Sequence, residues 1–211
     1  MRNFCDFVQS LGFGQCTLPS CNSISDLFFH YQSPQYQLEE SAKLRIQDYL
    51  SRETLYLDSF ATDEAADFAL AFSFGDSECV NIELAEQLAM LHQQHPNLPL
   101  FAQQEIASHL ATVTHYAIRN DDYQTTLDVA KSAKGQQQGI NVLIVAQAWH
   151  AKRCIETCQS LGLNVVGLKV VNQFPKNDPQ PWVRNPINWI IKESHRTIAT
   201  GYEVSQRYQL V

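Results

Sequence analysis

His150 and Arg153, three residues apart, are the side chains in this 211-residue chain best suited to chemistry. A neutral imidazole accepts or relays a proton near neutral pH. A guanidinium grips a phosphate or carboxylate through two parallel hydrogen bonds. The pair follows an apolar run, Val142–Ala146, and the segment Gln147-Ala148-Trp149. At about 100° per residue, Ala151, Cys154, Ile155, Cys158 and Leu161 form the buried stripe of a helix over 149–161. His150 lies at the edge of that stripe, and Arg153 lies beyond it on the same side, one turn away. A helix N-terminus disfavours the imidazolium, which predicts a neutral His150 available as base or hydrogen-bond partner. The same spacing also suits a local cap at His150 and a surface ion pair at Arg153.

Two further strand-to-helix segments bring polar groups to where ligands bind in open α/β sheets. Phe74-Gly75-Asp76-Ser77 follows the apolar run 68–74, and Gly75 allows a tight turn with close backbone approach. Ala102-Gln103-Gln104-Glu105 supplies amides and a carboxylate. Neither GxGxxG nor GxxxxGK[ST] occurs, so the standard dinucleotide fingerprint and the P-loop are absent. Gly75-x-Ser77 lacks the second glycine of a nucleophile elbow, since Cys79 stands there. Cys5, Cys16, Cys21 and His30 match the spacing of no compact zinc module, and no metal site is predicted. His92 and His95, before Pro96, read as C-terminal capping cations or solvent residues and not as ligands. Cys154 and Cys158 read as core packing. Asp121-Asp122 reads as a helix cap, Asp63-Glu64-Asp67 as a solvated acidic first turn, and Trp182 lies in a proline-rich loop able to reach over the top of the sheet.

The elements that must position these groups follow from periodicity. Hydrophobic residues make up 45% of the chain and charged residues 18%, enough apolar content for a sizeable core. Helices are expected at 38–52, 81–94, 103–110, from Asp121-Asp122 to about 134, and 149–161. A last helix opens at Asn185-Pro186 and carries Ile187, Ile190, Ile191, Ile198 and Tyr202 on one stripe. Strands are expected at 68–74, 98–102, 112–118, 140–147 and 163–171. Strands without polar alternation, interleaved with helices, indicate a parallel sheet covered on both faces. The expected architecture is a Rossmann-like three-layer α/β sandwich with a mainly parallel sheet of about five strands. It comprises residues 67–211, with a helical and loop extension, 1–66, packed on it. The order of the strands does not follow from these patterns.

The net charge of −7 argues against a nucleic-acid partner, because duplex affinity rests on Lys and Arg. Residues 1–105 hold 15 acids and 4 bases, while residues 106–211 hold 7 acids and 11 bases, which favours a small anionic ligand in the second half. No apolar run approaches the roughly 20 residues of a membrane span, and the first residues lack a signal-peptide core. With no tight Cys pair, reduced thiols in the cytoplasm are the expected setting.

The segment Val142–Arg153, ending with Leu161-Gly162-Leu163, resembles the signature of the YdcF/SanA/ElyC-like bacterial proteins. There a strand "LLVTS" leads into "xxHxxRA" and a helix closed by glycine. Phe72–Gly75 is similar to the family's opening strand and glycine turn, and Leu84-Ala85 falls in the following helix. Glu105 is similar to its acidic residue after the second strand, and Thr125-Thr126-Leu127-Asp128 to its "sTxEN" helix start. The resemblance covers roughly residues 68–171, with a weaker echo at 182–193. Gln103-Gln104, Ala146-Gln147 and Val129 depart from the family's Ser-Gly-Gly, Thr-Ser and Asn. The resemblance implies a Rossmann-type fold and a soluble branch, for one branch of which S-adenosylmethionine binding has been proposed; other branches are membrane-anchored and tied to the cell envelope. The strand-to-helix loops and the resemblance together give a ligand site lined by Gly75, Asp76, Gln103, Thr126, Gln147 and Trp149, with His150, Arg153 and Glu105 as the groups for catalysis; the resemblance itself carries over His150, Arg153 and Thr126, with Asp128 as an acid for an acid. Three readings stay open: a small anionic or nucleotide-like ligand, a hydrolase or transferase with His150 as base and Arg153 as anion clamp, and a non-catalytic interaction protein.

Overall fold

The computed structural model describes residues 36–62, 65–120, 124–136 and 139–210. Cys5, Cys16, Cys21, His30, Asp63, Glu64, Asp121 and Asp122 lie outside them, and with them the zinc and Asp121-Asp122 cap readings. The chain divides into two compact units, Thr54–Gln173 and a second made of Met1–Glu53 with Phe174–Val211. Among the described residues, 54–62 and 65–66 therefore belong with the sheet, and 174–210 group with 36–53.

The unit Thr54–Gln173 holds β1 (Phe60–Ala61), β2 (Phe68–Ala71), α2 (Glu78–Gln94), β3 (Leu100–Gln103), α3 (Gln104–Ala107), β4 (Tyr116–Ile118), α4 (Thr126–Gln136), β5 (Asn141–Gln147), α5 (Ala148–Ser160) and β6 (Asn164–Val171). The strands form one sheet in the order β1-β6-β5-β2-β3-β4. All neighbours are parallel except β1, which pairs antiparallel with β6. The sheet thus has six strands rather than five, because β1 is a two-residue edge strand too short to leave a periodic signature. The third expected strand shrinks from 112–118 to three residues at the opposite edge.

From β2 the chain lays β3 and β4 on one side, then returns to lay β5 and β6 on the other. This doubly wound order puts the topological switch point between β2 and β5, whose ladder runs from Phe68↔Val142 to Ala71↔Val145. Every residue of β2 and β3 is buried, as strands covered on both faces require. On one face Phe68, Leu70, Phe72, Ile144 and Ala146 pack with Val129, Ala130 and Ala133 of α4 and with Ala151, Cys154 and Cys158 of α5. Helix α2 also packs on β2, β5 and β6, but its buried Val80, Leu84 and Leu88 lie outside that cluster, so helices cover both faces.

Local chemistry sets the ends. Helix α4 starts on a reciprocal cap: the Thr125 amide donates to Asp128 Oδ2 at 3.0 Å, and the Asp128 amide donates to Thr125 Oγ1 at 3.2 Å. The helix runs on through Gly135 to Gln136, past the end expected at about 134. Gly162, at φ 78°, does close α5, with the Leu163 amide donating to the Cys158 carbonyl at 3.0 Å. Asp67 belongs to no helical turn; its Oδ2 accepts from the amides of Ile140 at 2.9 Å and Asn141 at 2.8 Å, fastening the start of β5.

In the second unit lie α1 (Glu40–Arg52), a short 3-10 turn (Pro181–Val183), α6 (Pro186–His195) and α7 (Gly201–Tyr208). Asn185 caps α6 by accepting from the Asn188 amide at 2.9 Å. The single long final helix expected from the sequence is two helices. Chain direction changes after His195, and Thr200 and Glu203 restart it with a capping box. Ile198 and Tyr202, placed on the apolar stripe by a straight-helix count, are consequently exposed at 58% and 64%. Trp182 packs within this unit over Gly201, where a Cβ would come within 2.7 Å of the ring. Among the described residues no helix is long and apolar enough to cross a membrane.

Candidate functional site

Strand β5 delivers the central group. Gln147, its last residue, is fully buried, and its Oε1 accepts from the Trp149 amide at 2.6 Å and the His150 amide at 3.3 Å. Its Nε2 donates to the carbonyls of Asn172 and Gln173 at 3.5 and 3.3 Å, just past β6. One amide therefore caps α5 and ties two strand ends together, so Gln147 is a positioning residue for the first turn of α5.

That turn carries His150, 5% exposed, above the end of β2. Its ring lies edge-on to Phe72, centroids 6.3 Å apart, and tilted to Phe74 at 6.1 Å. His150 Nε2 stands 2.8 Å from Arg153 Nη2 and 3.2 Å from Thr126 Oγ1, the latter at the first position of α4. Arginine is always protonated and has no acceptor, so at 2.8 Å it is Arg153 that donates and Nε2 that accepts. The imidazole in this arrangement is neutral, with its proton on Nδ1. The cluster is built from the starts of two helices that follow different strands, and it lies at the switch point. Arg153 is half-buried.

The other wall is the turn after β2. Gly75 has φ 75°, a conformation that side chains with a Cβ rarely adopt. Asn81 holds this turn: its Oδ1 accepts from the Phe74 amide at 3.2 Å, and its Nδ2 donates to the carbonyls of Gly75 and Ser77 at 3.1 and 3.0 Å. Sequence reasoning missed Asn81; the available signal was one amide on the otherwise apolar stripe of α2, where it is 1% exposed. Asp76 is exposed at the tip of the turn.

Gln103 closes β3 and accepts from the Ser73 amide at 3.1 Å, joining the ends of β2 and β3. Beside it Gln104 accepts from the Asn120 amide at 3.4 Å and donates to Glu105 Oε1 at 3.3 Å. The second oxygen, Glu105 Oε2, is shielded from solvent and has no hydrogen-bond partner. Glu105 therefore stands on the β3 part of the rim. Trp149 points elsewhere: about 100° around α5 from His150, it packs against Tyr56 at 5.9 Å, in the segment that leads to edge strand β1. The structure thus brings together Thr126, His150 and Arg153 beside the Phe74–Gly75 turn, assigns Gln103 and Gln147 to backbone support, and sets Trp149 against Tyr56. Among the described residues no group of three or more His, Cys, Asp or Glu is arranged to hold a metal ion.

Comparisons with family models, with curated proteins and with solved structures return no match.

Proposed function

We propose that this chain binds a small anionic or nucleotide-like ligand in the crevice above β2 and β5, with S-adenosylmethionine as the specific candidate drawn from the YdcF-like resemblance. Arg153 supplies the charge, His150 and Thr126 the polar contacts, and the Gly75 turn a close backbone approach. The observation that carries the reading is the meeting of Thr126, His150 and Arg153 at the switch point, where open α/β sheets bind ligands. The net charge of −7 argues against a nucleic-acid partner, and a cytoplasmic setting with reduced thiols belongs to the same reading. Calorimetric titration with S-adenosylmethionine, AMP and inorganic phosphate tests it. His150→Ala and Arg153→Ala each weaken the binding found with wild type by about tenfold or more, the scale of one hydrogen bond to a charged group, without a loss of folding. Full affinity in both variants places the site elsewhere.

A hydrolase or transferase is the second reading, favoured by the 3.2 Å between Thr126 Oγ1 and His150 Nε2, a hydroxyl within reach of an imidazole. Turnover of phosphate esters or S-adenosylmethionine by wild type and not by His150→Ala supports it, and silence across that panel counts against it. A non-catalytic interaction protein has less to support it, since Gln103 and Gln147 are spent on backbone groups.

A further inference from the structure

His150 Nε2 has one lone pair and two neighbours of opposite use. Arg153 can only donate to it, at 2.8 Å, whereas the Thr126 hydroxyl at 3.2 Å can either donate or accept. When His150 is neutral, Nε2 accepts from Arg153 and fixes the guanidinium. When His150 takes a proton, Nε2 becomes a donor. It then faces a guanidinium N–H across a distance that leaves no room for two hydrogens, while Thr126 can still accept. One proton thus exchanges Arg153 for Thr126 as the partner of the same atom.

We infer that the anion site is gated by a proton in the sense opposite to ordinary anion binding: the neutral form of His150 holds Arg153 in place for the anion, and the imidazolium releases it. His150 is then a positioning residue for Arg153, and the inference rests on the proposed anion site at the end of β5. Arg153 of α5 is bonded to the imidazole; Thr126 from α4 and Phe72 and Phe74 from the exit of β2 are uncharged, Asp76 is exposed on the turn after β2, and Glu105 stands on the β3 part of the rim. Lys152, next on α5, is paired with Glu156 at 3.1 Å, and Asp128 of α4 is tied to Thr125 Oγ1 at 2.6 Å.

Sulfate is the probe, because its charge does not change through the histidine range. Calorimetry on the whole chain between pH 8 and pH 5.5 reads the sign. In wild type the sulfate affinity falls on acidification, approaching tenfold per pH unit once His150 titrates, as linkage to one proton requires. His150→Gln, whose amide oxygen also accepts from Arg153 but takes up no proton, loses the pH dependence; a fall in affinity on acidification as steep as in wild type overturns the gate. Thr126→Val moves the loss of affinity to lower pH, because the imidazolium has lost its acceptor. A measurement that needs no variant is the side-chain nitrogen spectrum of wild type at pH 8, where His150 carries its proton on Nδ1. Affinity that rises on acidification, or a proton on Nε2 at pH 8, overturns the gate and leaves the anion site standing. Sulfate that binds at no pH overturns the anion site, and the gate with it.

Discussion

Among the described residues the two compact units each bury one histidine, His150 at 5% exposure and His195 at 2%, and the two rings use the same nitrogen as an acceptor. His195 Nδ1 lies 2.8 Å from the Ile191 carbonyl of its own helix and donates to it, which leaves Nε2 to accept from Tyr208 at 3.0 Å. Both partners belong to helices that the ring joins, α6 and α7, so the ring is a structural tie. His150 instead accepts from a half-buried cation beside a hydroxyl, at the end of a parallel strand. Burial does not distinguish the two rings. The donor opposite each does: a phenol that completes a packing contact in one case, a half-buried guanidinium in the other.

The comparison breaks most visibly at Gln147. Gln147→Leu removes the acceptor for two α5 amides and the donor to two carbonyls in a fully buried place, and about 2–4 kcal/mol of stability should be lost in urea unfolding. Binding at His150 should fall with it, whereas substitutions around His195 should cost stability and leave ligand binding unchanged. A loss below about 1 kcal/mol would show that the positioning role given to Gln147 is wrong.

Acid sharpens the contrast. Burial, aided by Arg45 and Arg207, holds His195 below the usual histidine value, against the pull of the Ile191 carbonyl. The unfolded chain therefore takes up a proton that the folded chain refuses. The stability from this group is fully present above about pH 6.5, the ordinary histidine value, and is lost as pH falls towards the depressed one. Unfolding midpoints measured from pH 7.5 downward should decline, and His195→Gln should flatten that decline even if it lowers the plateau. An acid limb identical in both proteins removes His195 as its source. Alkali acts on α5 instead: burial pushes the Cys158 thiol up to about 12, so stability there is lost as pH rises past the ordinary thiol range.

The smallest expected effect is at the surface. Thr200→Ala removes the side-chain half of the capping box of α7, in which Thr200 Oγ1 accepts from the Glu203 amide at 3.3 Å, and leaves the backbone half, in which the residue-200 amide donates to Glu203 Oε2 at 2.7 Å. The cost should be about 1 kcal/mol. The Thr200 amide first, and its hydroxyl second at 2.9 Å from Oε2, hold the Glu203 carboxyl below its ordinary value; the variant keeps the amide and loses the hydroxyl, so it should lose slightly less stability than wild type when titrated into acid. Equal acid sensitivity in the two proteins would separate the cap from that titration.

Helices and strands with a strong period were legible in the sequence, and so was the neighbourhood of His150 and Arg153, since both lie on one helix and one turn is a short-range fact. Elements without a period were not. β1 has two residues, and the break between α6 and α7 replaces an apparently continuous stripe by two shorter helices. Asn81 was hidden because its partners, the backbone groups of Phe74, Gly75 and Ser77, exist only once the turn has formed. Trp149 adjoins His150 in sequence, yet one step around a helix turns a side chain by about 100° and sets this one against Tyr56.

By itself the sequence determined the class of the fold, because strands buried on both faces must be apolar without alternation, and that pattern is written locally. It also determined that a histidine and an arginine share one helix face. Only the tertiary structure decided which strands are neighbours, and so placed the switch point between β2 and β5. It also set Thr126 against His150 and spent Gln103 and Gln147 on backbone amides and carbonyls. Strand order is fixed by packing between residues distant in the chain, and no local propensity encodes it.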